Sequence, residues 1–151
     1  MDALIFASST FTDRDLCVPS AAPCSADSAN RQAAVQCAVT MNHPTVIRPT
    51  DLASWRPDKM GKSTIYESPR FLVGLNAFES GQSHTLHAHA GMDKMYYVLD
   101  GDGAFLLDGQ ELPMQAGDLL VAPEGVPHGV KNTGSGRLLV LAVLAPAPSG
   151  A

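Results

Sequence analysis

His87 and His89, in the run Leu-His-Ala-His, are spaced in a way that could support chemistry. Alternate side chains of a β-strand point to one face, so imidazoles at i and i+2 can reach a common point. A third histidine, His128, follows Pro123, Gly125 and Pro127 in a separate stretch, where a turn would aim it inward. The two prolines restrict the backbone ahead of His128 and would hold it at low entropic cost. Three neutral imidazoles suit zinc, copper, iron or nickel. The other two of the five histidines stand apart. His84 is out of period with His87 and His89 and is expected to face solvent, and His43 is expected at the surface.

The elements that must position these residues read as short strands and tight turns. Strands are expected at 46–48, 63–67, Phe71–Phe78, 95–99, 104–107, 111–114, Leu119–Ala122 and 138–144. Asp108-Gly109, between two of them, is a strong hairpin turn. Gly101, Gly117 and Gly125 lie where strands reverse and a positive φ is often needed. Residues 49–56 offer one helical turn, with Thr50 as its N-cap. This texture indicates an all-β, antiparallel sandwich or barrel. Within 95–99, Tyr96 and Val98 share the pleat face of Lys94 and should line the interior, with Tyr97 and Leu99 on the other side. Trp55, Phe71, Phe78 and Phe105 are expected in the core or lining the barrel, and Asn132 is expected to bond backbone groups at a strand end.

The sequence resembles the cupin superfamily. Its first motif reads G-x5-H-x-H-x3,4-E-x6-G, and Gly81, His87, His89 and Gly101 fall on that spacing. Its second reads G-x5-P-x-G-x2-H-x3-N, matched throughout by Gly117, Pro123, Gly125, His128 and Asn132. The resemblance covers about residues 45–146 and implies an antiparallel jelly-roll β-barrel. It further implies one divalent transition metal ion (Fe, Mn, Ni, Cu or Zn) on His87, His89 and His128. The one departure is the carboxylate ligand, whose position is occupied by Lys94, preceded by Asp93. An ammonium has no lone pair and cannot ligate. Three readings stand open: a three-histidine centre, a pattern the family also uses; Asp93 turned inward by a bulge; or a site that has lost its metal and become a ligand pocket or scaffold.

By resemblance the chain is an enzyme acting on a small organic substrate with dioxygenase-like chemistry, isomerase, lyase and decarboxylase chemistry also occurring in the family. Lys94 and Tyr96 would then be its catalytic residues, moving protons or orienting the substrate. The alternative is a non-catalytic cupin that binds a small molecule or sugar as a sensor or scaffold. Small cupins of this kind often dimerise by strand exchange, so a homodimer is expected, with 46–48 as an edge strand that gains from pairing.

Bulk properties set the frame. At 151 residues the chain has room for one domain, and 45% hydrophobic content supports a core. Residues 1–40, rich in Ala, Ser, Thr and Asp and without sustained period, read as a disordered extension ahead of a single domain at 41–151. Asp2 and the short apolar run after it do not make a signal peptide. No run is long enough to span a membrane. Ten basic residues against fifteen acidic, scattered singly, argue against nucleic acid. The three cysteines, Cys17, Cys24 and Cys37, form no closed disulfide framework, and a cytoplasmic location is expected. Arg70 and Arg137 could serve an anionic substrate, with solvent or an ion pair as their ordinary state.

Overall fold

The computed structural model describes residues 44–148. The expectations for residues 1–40, for His43 and for the three cysteines lie outside the described residues. The strands are β1 (Gly61–Ser68), β2 (Phe71–Phe78), β3 (Ser83–His87), β4 (Asp93–Asp100), β5 (Asp102–Leu107), β6 (Gln110–Gln115), β7 (Leu119–Ala122), β8 (His128–Lys131) and β9 (Leu138–Ala145). They form a five-stranded sheet in the order β1-β2-β9-β4-β7 and a four-stranded sheet in the order β3-β8-β5-β6. Every pairing is antiparallel, which gives the jelly-roll arrangement that the motifs imply. Among the described residues no helix is long and apolar enough to cross a membrane.

Alternation along the strands fills the space between the sheets. On β4, Lys94, Tyr96 and Val98 are buried while Asp93 and Tyr97 face out. Tyr96 and Val98 join Phe78, Phe105, Met114, Val130, Leu138, Val140 and Ala142, drawn from both sheets, in the main core. A second cluster, Ile65, Leu75, Ala77 and Leu139, lies on the outer face of the five-stranded sheet. Ile47, Ala53 and Trp55 pack on it from the segment that precedes β1. Phe71 departs from its expected core position, being 38% exposed with its ring against Tyr66 at 5.1 Å.

The strand expected at 46–48 does not form. Pro44 and Pro49 bracket it, removing amide donors and restricting the residues before them. Ile47 packs on the outer cluster while Val46 stays almost fully exposed, so the paired edge on which the homodimer expectation leaned is not built. The helical turn is a 3-10 turn over Pro49–Leu52 with Arg48, not Thr50, as N-cap. Proline suits this start because its missing N–H would be unsatisfied there anyway.

The turns follow local chemistry. Asp108-Gly109 joins β5 to β6 with Leu107 opposite Gln110. Gly101, Gly117 and Gly125 take φ of 84°, 96° and 74°. At Gly101 a side chain would also collide with the Arg137 carbonyl, so the conformation and the close approach both demand glycine.

Asn132 closes the end of β8. Fully buried, it donates to the carbonyls of Phe78 (3.2 Å) and Gly136 (2.8 Å) and accepts from the Gly134 N–H (3.0 Å). Its removal strands buried backbone groups, each costing about 1–3 kcal/mol. Asn132→Ala is therefore expected to lower unfolding stability by about 2–3 kcal/mol, read from the urea midpoint at unchanged slope. A shift below about 0.5 kcal/mol would show that solvent or neighbouring groups replace these bonds.

Candidate metal centre

His87 ends β3 and His128 opens β8, and the two lie directly opposite each other in the pairing of these strands. His89 sits beyond the end of β3, in the loop that leads to β4. The expected strand therefore carries only the first histidine of His-Ala-His, and the loop delivers the second. That loop is tied to the turn ahead of His128. The Gly91 N–H donates to the Glu124 carboxylate (2.6 Å), the Gly125 N–H to the His89 carbonyl (2.9 Å), and the Glu124 N–H to the Asp93 carboxylate (2.9 Å). Asp93 is thus an exposed loop anchor, and the reading in which it turns inward is corrected. Glu124, which the motif spacing does not single out, takes part in two of these ties.

The three imidazoles converge, with candidate ligand atoms all within 4.8 Å of one another. His87 and His128 are held alike: each Nδ1 lies 2.8 Å from the carbonyl oxygen two residues earlier, Thr85 and Val126 respectively. A carbonyl only accepts, so Nδ1 carries the proton and Nε2 keeps its lone pair. Nε2 of His89 and of His128 is buried without a hydrogen-bond partner among the described residues. Anchored, neutral and otherwise unsatisfied imidazole nitrogens are the donor set that a transition metal ion needs.

Lys94 takes the place of the missing carboxylate. It is buried, with Nζ 3.4 Å from His87 Nε2 and 4.7 Å from the centre of the Tyr96 ring. Tyr96 is fully buried, its ring edge-on to His128 at 5.7 Å, and its hydroxyl has no protein partner among the described residues.

A cupin-domain family description matches residues 74–144. The oxalate-binding protein of Thermotoga maritima is 41% identical over 85 residues, 56% of this chain and 69% of that protein. The crystal structure of TT1209 from Thermus thermophilus superposes with a TM-score of 0.65 at 37% identity, over 68% of this chain and 98% of that one. The chain belongs to the cupin family. An acireductone dioxygenase of Rhodopseudomonas palustris is 37% identical over 65 residues, spanning 40% of this cupin and 39% of that enzyme.

In this cupin His84 is not solvent-facing. A bulge between His84 and His87 breaks the two-residue period and puts both rings on one side, with centroids 4.2 Å apart and His84 Nδ1 buried. Strict alternation missed it, and no residue type announces the bulge. Gly129 is the matching adjustment on β8, since a Cβ there would strike the His84 carbonyl.

Burial dominates the electrostatics. It holds the His84 pKa down at about 3, with His87 adding to the effect, and His89 at about 4, with Lys94 adding. His87 and His128 are also lowered, by burial against an opposing backbone hydrogen bond. Burial, then the charge of Lys62, lowers Lys94 to about 8, and burial raises the Tyr96 phenol. Near neutral pH the imidazoles are therefore neutral and the phenol protonated.

The ammonium of Lys94 is disfavoured in the fold relative to the unfolded chain, where its pKa is about 10.5. With the folded pKa depressed, the unfolded state binds the extra proton between the two values, so stability rises as pH climbs from about 8 toward 10.5. Metal-stripped Lys94→Met is expected to melt above metal-stripped wild type at pH 7, with the gap narrowing by pH 10. A gap that stays constant or widens with pH in paired thermal melts would show that Lys94 carries no such penalty.

Proposed function

We propose that this cupin is an enzyme that holds one divalent transition metal ion on His87, His89 and His128 and acts on a small organic anion with dioxygenase-like chemistry. The carrying observation is the donor set: three converging neutral imidazoles, two of them with buried Nε2 atoms that no group among the described residues satisfies. An ion there would supply a Lewis acid toward the oxygen atoms of a chelating ligand, with three protein ligands leaving positions open. The residues around it favour negative charge in the ligand. The imidazoles contribute none, and the group in the carboxylate position is a cation, Lys94.

The remaining roles belong to this chain's own side chains. Thr85 and Val126 carbonyls fix the tautomer and orientation of the His87 and His128 imidazoles. Lys94 Nζ lies beside His87 Nε2 and would donate to a ligand carboxylate or enolate oxygen, or exchange a proton with it. The Tyr96 hydroxyl would be a second donor that stays protonated. The acireductone dioxygenase relative supports oxygen chemistry for the shared segment.

A second reading is favoured by the same lysine. Where the motif calls for a carboxylate ligand there is an ammonium, and a 41% identical relative is an oxalate-binding protein. On this reading the centre binds a small carboxylate and does not turn it over. Iron-, manganese-, nickel-, copper- and zinc-loaded protein should be offered oxalate, a β-diketone and a vicinal diol, with calorimetry and an oxygen electrode run in parallel. The enzyme reading expects oxygen uptake with at least one metal and substrate, falling at least 100-fold in His128→Ala. Binding without oxygen uptake would replace it with the binding-only reading, and failure to retain any metal would remove the enzyme reading and leave a ligand-binding barrel.

A further inference from the structure

Between the edge strands β1 and β3 the structure holds a pocket of about 660 Å³, lined by Ser54, Arg56, Lys59, Met60, Lys62 and Ser83. That volume falls within the roughly 300–1,000 Å³ of small-molecule sites. Its walls carry three cations. In a chain of net charge −5 with only ten basic residues, this is a local reversal of sign. In sequence the basic residues read as scattered, but the fold gathers three of them around one cavity. Asp58 is engaged by the Arg56 guanidinium, at 3.3 and 3.1 Å, in a pair exposed to solvent. Among the described residues no carboxylate forms a salt bridge with Lys59 or Lys62.

The pocket is built rather than left over from a loop. The 54–60 segment is fastened at several points. Gln82 Nε2 donates to the Arg56 carbonyl at 2.8 Å. The Trp55 ring lies 4.7 Å from the Arg137 guanidinium, itself doubly bonded to Glu79. Arg137 is thus committed to structure and is not a substrate contact. Met60 packs on the main core, and Gly61 lies so close to the Ser54 carbonyl that any side chain would collide. Ser83, on the pocket wall, immediately precedes His84 in β3, and the His84 ring lies 4.2 Å from that of His87. After burial, the charge of Lys62 is among the influences that depress His84, His87, His89 and Lys94.

We propose that this pocket is a second oxyanion subsite, taking a phosphate or carboxylate group at the far end of a ligand whose near end sits among His87, His89 and His128. This rests on the metal-centre reading for the near end only. The ligand class is then a two-ended anion, a chelating head joined to a remote oxyanion. Lys59 and Lys62 are the principal donors, and Arg56 is shared with Asp58. The lysines contribute as flexible point charges, which suits an oxyanion without demanding bidentate geometry.

The test uses the full-length protein, with and without metal, and two probes that separate the oxyanion sources: inorganic phosphate and succinate. Backbone amide NMR shifts are followed on titration, with elemental analysis of the same samples. The expected result is saturable shifts at Ser54, Lys62 and Ser83 without metal. Affinity should fall at least tenfold in the Lys59→Gln/Lys62→Gln double variant, with metal uptake unchanged. The stronger probe identifies the remote group. Shifts spread over the surface, or an affinity that survives the double variant, would overturn the subsite. Loss of metal uptake by wild type with the subsite intact would instead overturn the metal-centre reading alone.

Discussion

The site depends on one backbone constraint, the pairing of β3 with β8 that sets His87 opposite His128. Cross-strand partners lie within reach of each other only if the register holds, and a slip of one residue would send one ring to the opposite face. Gly129 allows β8 to approach β3 closely enough. The carbonyls of Thr85 and Val126 then set both rings in the same way, each through a bond to a residue two positions back. His89 needs no strand position, because its loop is tied to the turn that delivers His128. The bulge between His84 and His87 follows from the same pairing and brings a fourth imidazole against the cluster.

Charge is the second constraint. A part-buried group of neutral histidines with no carboxylate, joined by a buried lysine, offers a metal cation lone pairs but no compensating negative charge. Burial settles the imidazoles by keeping them neutral. The lysine is different, since its nearest polar partner is a histidine nitrogen and its side face rests on an aromatic ring. Truncating such a residue to an apolar one relieves a desolvation cost, so its presence is better explained by what it offers a ligand than by what it does for folding. An anion that bridges a metal ion and Lys94 would neutralise both. The cationic pocket between β1 and β3 extends the same preference outward.

Much of this arrangement is legible in the sequence. The bounds of β2 and β7, the Asp108-Gly109 hairpin and the inward face of Lys94, Tyr96 and Val98 follow from alternation and turn chemistry. The paired motifs place the histidines on one centre and select the jelly roll. Of the two strands at the centre, β8 is not legible, and β3 is legible only as the His-Ala-His alternation, which runs past its true end at His87. β3 and β8 are five and four residues long, rich in histidine, glycine and polar residues, and one of them contains a bulge. Their strand character comes from the partner and not from propensity. For the same reason strict alternation puts His84 on the wrong side, and β-branched character puts 46–48, bracketed by prolines, in a strand. The gathering of Arg56, Lys59 and Lys62 at one cavity depends on the path of a loop, which no local pattern encodes.

On the proposed reading three imidazoles, and no carboxylate or thiolate, hold the metal ion. X-ray absorption at the metal edge of full-length protein loaded with one equivalent of cobalt or zinc tests it most directly. The expected spectrum shows imidazole multiple scattering from three rings, reduced to two in His89→Ala. A sulfur shell would move the metal to the cysteines of the N-terminal region, and one imidazole or none would contradict the three-histidine centre.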